Sequence, residues 1–203
     1  GHPRISFELD LFSALQLHWD EDEDYVRRKG RVDHLQLWAV GQAEAIQRSL
    51  SLFAKPEFAS SGLFPEFYFY DCHSCHRRIY DRSTFKRTFE PNPARPIRFG
   101  NPPYNDENII MLSAVAHVLA PGQAATFDAA ARDFHAAMGK GRGETIAAAN
   151  RLNAAAGALS RVMSARGYSG DTSFAVISAI AGKAISPRFT DYTGSTQAVM
   201  AID

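Results

Sequence analysis

The chain has only two cysteines among 203 residues, too few for a disulfide-stapled scaffold. It has no excess of either charge. Lys plus Arg and Asp plus Glu stand at 22 each, so no global field favours nucleic acid or an anionic membrane surface. It has no long apolar run either: the uncharged stretches at residues 114–121 and 174–182 fall well below the ~18 residues that a membrane span needs. No basic n-region followed by an apolar h-region opens the sequence, so a leader peptide is expected to have been cleaved or to lie upstream. Phosphate-cradling G-x-x-x-x-G-K-[ST], nucleophile-elbow G-x-S-x-G, zinc-binding H-E-x-x-H and calcium-loop patterns are all missing, which leaves hydrolytic chemistry without a foothold. What remains is ordinary globular material, 45% hydrophobic and 22% charged, with 14 Gly and 10 Pro, enough for one domain with a substantial core.

The periodicity is helical throughout, and no alternating strand pattern stands out. Residues 5–18 carry Phe7, Leu11, Ala14, Leu15 and His18 at three-and-four spacing behind Pro3, which predicts a helix with that face buried. After the acidic run at residues 20–24, Val32, Leu35, Ala39, Ala43, Ile46, Leu50 and Phe53 trace one continuous stripe ending before Pro56. Further helices are expected over residues 106–120, capped by Asn105 or Asp106 and stopped by Pro121, and over 124–138, 144–165 and 173–185. Their inward faces are read as Phe127, Ala131, Phe134 and Met138, then Ile146, Ala149, Leu152, Ala156, Leu159 and Met163, then Phe174, Ile177, Ala181 and Ala184. Residues 139–143, Gly-Lys-Gly-Arg-Gly, read as a hinge. Between the halves, residues 88–104 contain Pro91, Pro93, Pro96, Pro102 and Pro103, which forbid regular helix. The expected fold is therefore all-α, a helical bundle with a Pro-rich irregular middle segment. Residues 1–203 read as a single domain, with an attachment half at 1–104 and an Ala-rich helical half at 105–203.

Both cysteines fall in Cys72-His73-Ser74-Cys75-His76, the C-x-x-C-H attachment pattern for a c-type haem. Two thiols at this spacing add to the vinyl groups along one porphyrin edge, and the histidine that follows ligates iron from the proximal side. For two cysteines placed at random, that separation with a histidine directly behind arises roughly 3 times in 10,000. Competing chemistries lack context: a thioredoxin-like dithiol wants a βαβ setting and a zinc site a second ligand pair, though His73, His76 and one distant histidine remain a conceivable zinc set. Haem c, with Cys72, Cys75 and His76 as its anchors, is the expected cofactor. Aromatics crowd the approach at Phe64, Phe67, Tyr68, Phe69, Tyr70 and Tyr80; with Trp19 and Trp38 they suit a porphyrin or a plain core equally.

The surroundings of the pentapeptide add a resemblance. The opening Gly1-His2-Pro3-Arg4-Ile5-Ser6-Phe7-Glu8-Leu9, then His18-Trp19, then Trp38-Ala39-Val40-Gly41-Gln42, then Tyr70-Asp71 before the motif, resembles the last third of multihaem c-type cytochromes related to cytochrome c554. It covers about residues 1–80, and it departs from that family in carrying a single C-x-x-C-H. The resemblance implies a secreted or periplasmic bacterial electron carrier with bis-histidine haems, as one C-terminal portion of a longer chain or as a mature domain whose other haems lie elsewhere. Its partners would be redox proteins or further haem domains, with neither nucleic acid nor a membrane span involved.

The sixth iron ligand is open among His2, His18, His34, His117 and His135, with Met111, Met138 and Met163 as thioether alternatives. His18 is the leading candidate, expected to point inward and matching a family position beside Trp; a core histidine bonded at a helix end reads the same way. His2 is the second, or a ligand to a haem of an upstream segment. His117 reads as a satisfied core histidine, His34 and His135 as exposed, and His73 as solvent-facing, beside a propionate or against a neighbouring haem. Arg77, Arg78, Arg82, Lys86, Arg87, Arg95 and Arg98 either pair with haem propionates or line a solvated loop. The acidic residues 20–24 either steer a basic partner or enter a helix whose dipole they favour. The expected function is one-electron transfer. The alternatives are a catalytic or gas-binding haem with an open sixth site, and a haem-free helical interaction module whose cysteines form a dithiol or disulfide.

Overall fold

The computed structural model describes residues 7–57, 67–71, 94–96, 101–184 and 192–203. All regular structure among them is helical: α1 (Leu9–Leu15), α2 (Glu23–Lys29), α3 (His34–Phe53), α4 (Glu107–Leu119), α5 (Pro121–Ala137), α6 (Arg142–Ser164), α7 (Gly170–Ala179), which runs on into a π-helical turn at Ile180–Ala184, and α8 (Tyr192–Ile202). The all-α expectation holds for these residues.

The core follows the apolar stripes. On α3 the side chains of Ala39, Ala43, Ile46, Leu50 and Phe53 are buried, and on α6 those of Ala149, Leu152, Ala156, Leu159 and Met163; these two faces form the most extensive helix pairing. Alanine at the contact lets the backbones approach closely, so the long helices seat against one another over most of their length. Helix α5 lies against α6 and α4 and buries Phe127, Ala131 and Phe134. Helix α4 is the centre of the body, buried nearly all round from Ile109 to Ala116 and touching α3, α5, α7 and α8. A helix enclosed on every side has no polar face, which is why its sequence shows a run of apolar residues with no stripe.

Helix boundaries obey local chemistry. Asp33 caps α3, its carboxylate accepting from the Gln36 N–H at 2.9 Å. Pro121 opens α5 at its first position, where a missing N–H costs nothing, so that helix starts three residues earlier than expected. The acidic run is split between a loop and α2: Asp22 caps Tyr25 at 2.8 Å, Glu23 and Asp24 sit in the first turn, and Arg27, Arg28 and Lys29 close the last. Both ends therefore match the helix dipole, and Gly30, at φ +84°, ends the helix in a backbone region that favours glycine.

Two expectations are overturned. The helix expected over 5–18 ends at Leu15 and buries no apolar side chain, with Phe7 and Leu15 exposed. Its neighbouring acidic run builds its own capped helix, so the chain bends at Gln16–Asp20 before it can carry the apolar stripe further. Along α7 and the turn that continues it, Val176 and Ile180 face the core, while Phe174 is 72% exposed, Ile177 39% exposed and Ala181 exposed. Helices α2 and α8 were not anticipated.

Candidate functional site

The segment that contains the C-x-x-C-H motif leaves and rejoins the helical body at one place. The Asp71 N–H donates to the Pro103 carbonyl at 2.9 Å, the Asn105 N–H donates to the Phe69 carbonyl at 2.8 Å, and Tyr70 and Tyr104 form an antiparallel bridge. This neck is clamped by aromatics: the Tyr104 ring meets Phe134 edge-on at 4.9 Å and Phe53 at 5.6 Å, and Phe69 stacks on Tyr104 at 6.3 Å. Such edge-to-face pairs add about 0.5–1.5 kcal/mol each beyond the area they bury. Tyr104 is buried, and its hydroxyl bonds Ser49 of α3. The residue immediately before Cys72 is thus fixed to the core. Cys72, Cys75, His76, His73 and His2 lie outside the described residues.

A second anchor comes from Arg95. Its Nη2 donates to Asp106 Oδ1 at 2.9 Å and its Nε stands 2.6 Å from Oδ2, with the Asp106 side chain 1% exposed. Asp106 occupies the N-cap position of α4 as expected, but its carboxylate serves Arg95 and caps no helix N–H. Arg95 is therefore engaged by a protein carboxylate.

His135, expected at the surface, is buried in α5 with its Nε2 3.1 Å from Asp106 Oδ2. The contact is an ion-pair distance without hydrogen-bond alignment, and neither ring nitrogen has a hydrogen-bond partner among the described residues. A cavity of about 120 Å³ adjoins it, lined by Arg95, Asp106, Ser113, Asp128, Arg132 and His135 among others. His117, expected in the core, is instead exposed: its side chain points off α4, Nε2 2.8 Å from Asp128 Oδ2, while Ser113, one turn earlier, donates to Oδ1 of the same carboxylate at 2.6 Å. The apolar neighbours of His117 in sequence come from a helix buried on nearly every face, so they carried no information about where position 117 points.

His34, at the start of α3, holds two carboxylates, Nδ1 at 2.9 Å from Asp10 and Nε2 at 3.2 Å from Glu21. The hydrogen bond to Asp10 is the largest influence raising its pKa above 6.5, opposed by partial burial and reinforced by Glu21. His18, expected to face inward, is exposed in the bend after α1, its ring 6.5 Å from that of Trp19. It lines a surface cleft of about 750 Å³ together with Leu17, Trp19, Asp20, Asp22 and His34. Met111 and Met163 are buried within the helical core. Trp38 and Tyr70 pack partly buried against that core, while Trp19 and Tyr68 are exposed.

Among the described residues, no three His, Cys, Asp or Glu side chains converge as metal ligands, and no helix is long and apolar enough to cross a membrane. The Arg95–Asp106–His135 group was missed in the sequence because its members are separated by helix and loop; an acidic residue at a helix start was the only signal, and capping explained it. No family model, curated protein or solved structure matches the chain.

Proposed function

We propose that the chain is an electron-transfer c-type cytochrome domain, or the haem-bearing C-terminal part of one, working outside the cytoplasm with redox proteins or further haem domains as partners. The observation that carries this reading is the Cys72-His73-Ser74-Cys75-His76 pentapeptide. Two features of the described structure support it. The motif follows directly on a residue pinned to the helical core by the Asp71–Pro103 bond, and the same segment is tied again where Arg95 meets Asp106. Covalent attachment of a rigid macrocycle gains from such fixed ends, because less of the segment must be ordered on binding.

Haem would supply a one-electron iron couple. Cys72 and Cys75 would tether it and His76 would ligate the iron, while apolar burial and nearby charges tune the potential. For the sixth position the described histidines differ: His34 and His117 have carboxylates on their rings, whereas His18 has none among the described residues. His18 is the leading distal candidate on that ground.

The test is a pyridine haemochrome spectrum of protein made in a host with cytochrome c maturation machinery. A thioether-type haemochrome, lost in Cys72→Ala with Cys75→Ala, and a low-spin native spectrum are expected. His18→Ala should then turn the iron high-spin. High-spin iron in the unaltered protein favours the catalytic or gas-binding reading, and absence of covalent haem ends the cytochrome assignment.

A further inference from the structure

The cavity between α4 and α5 joins two acid–imidazole pairs. At its inner end stands His135, 1% exposed, against Asp106, which Arg95 holds from the other side. At its outer end, Asp128 accepts from Ser113 and contacts His117, whose side chain is 43% exposed and reaches solvent. We propose that this cavity is a hydrated proton-exchange path, by which the buried His135–Asp106 pair takes up and releases a proton that enters through His117 and Asp128.

Three physical facts carry it. First, burying an imidazole whose Nδ1 has no hydrogen-bond partner among the described residues is unfavourable unless water reaches it. Second, a volume of about 120 Å³, whose wall mixes charged and polar side chains with Ile109, Ile110 and Ala131, takes a few waters at ~30 Å³ each, and the polar side chains offer the two to four partners that each water needs. Third, His135 sits in the last turn of α5, where the helix dipole favours a cation. The charged groups lining the cavity are Arg95 from the loop, Asp106 at the start of α4, and Asp128 and Arg132 from α5.

The transfer balances without an oxidant or reductant. A proton from solvent rests on His117, passes from Nε2 to Asp128 Oδ2, leaves the carboxyl group for a cavity water, and is delivered to His135 Nδ1; release runs in reverse. One O–H or N–H bond breaks for each that forms, and the Nε2 proton takes no part.

The experiment is nitrogen-15 NMR of the histidine rings in the full chain, between pH 5 and 9, with proton exchange against water read at each ring. It needs no haem, so it stands apart from the cytochrome reading. The His135 ring is expected to exchange its protons with water at a measurable rate in the unaltered protein. Its exchange should slow in Asp128→Asn by about a hundredfold, the lower end of what a positioned proton-transfer group contributes. His117→Ala, at an exposed position that threatens folding least, should slow it in the same direction. A His135 ring that exchanges in both variants at the unaltered rate overturns the path.

Discussion

His34 ties the N-terminal arm to the bundle, and the strength of that tie should depend on pH. Helix α1 buries no apolar side chain, and besides the Gln197 amide on the Phe7 carbonyl at 3.1 Å its polar anchor is the Asp10–His34 pair. The same imidazole holds Glu21 in the loop ahead of α2. Each pair is about half exposed, so each is worth roughly 0.2–1 kcal/mol, and charge at a helix N-terminus subtracts a few tenths of that. A net gain of about 0.5–1 kcal/mol remains. Because the folded-state pKa is raised above 6.5, this stabilisation is fully present below pH 6.5 and is lost as pH rises through the folded value. In His34→Gln the α1 amides should therefore exchange about two to five times faster than in the unaltered protein at pH 6, and at an equal rate at pH 9. Hydrogen exchange resolved by NMR, corrected for intrinsic rates at each pH, reads the ratio. High salt should shrink it, since exposed charges are screened over about 8–10 Å. An exchange ratio that is the same at both pH values would refute the electrostatic argument and leave α1 held by its backbone contacts alone.

Asp106→Asn removes a carboxylate that Arg95 meets in a nearly buried site and should cost about 3–5 kcal/mol in urea unfolding, more than removing both partners together. Phe134→Ala removes the ring that meets both Tyr104 and Phe53; a loss of about 3–5 kcal/mol is expected, with faster exchange at the Asp71 and Asn105 amides if the aromatic clamp holds the neck. Glu8 is buried and accepts from the Leu11 N–H at 2.7 Å, and burial above all raises its pKa over 4.5. The folded state thus holds that proton more tightly than the unfolded chain, and stability falls as pH rises from 4.5 through the folded value. Glu8→Gln keeps an acceptor without the charge, so its melting temperature should exceed that of the unaltered protein at pH 7, with the gap closing below pH 4.5.

The stripes on α3 and α6 were readable because both helices bury one face and expose the other: Ala39 through Phe53 and Ala149 through Met163 stand where period 3.6 places them. The same reasoning failed on α1. There Phe7 and Leu15 keep helical spacing yet remain exposed, because periodicity reports which residues share a face and says nothing of what covers that face. It failed again for histidines. His117 and His135 exchanged their expected places, since α4 is apolar on all sides while α5 turns position 135 toward a carboxylate that lies 29 positions away in sequence. A long-range ion pair leaves no periodic trace. The C-x-x-C-H motif, by contrast, is a local signal and stands in the sequence whole.

The size of the helical half follows from what it must hold. The segment between Asp71 and Pro103 is rich in proline and in Arg and Lys, a composition that supplies few apolar contacts of its own. Its order at the described points comes from outside: a pair of backbone bonds at the neck, four aromatic rings drawn from α3, α5 and the two edges of the neck, and the Arg95–Asp106 pair. Buried ion pairs add little net stability over an apolar alternative, but they penalise every arrangement that leaves one charge alone. Arg95 can satisfy that requirement at Asp106, whose side chain is 1% exposed. The pair therefore acts as a register mark for the segment, and its contribution should appear as uniqueness of placement. Replacing Arg95 and Asp106 together by Met and Leu tests this: global stability should be kept or raised, while amide signals flanking the segment, at Tyr70 and Asn105, split or broaden. Sharp single signals in the double variant would assign the placement of the segment to the neck alone.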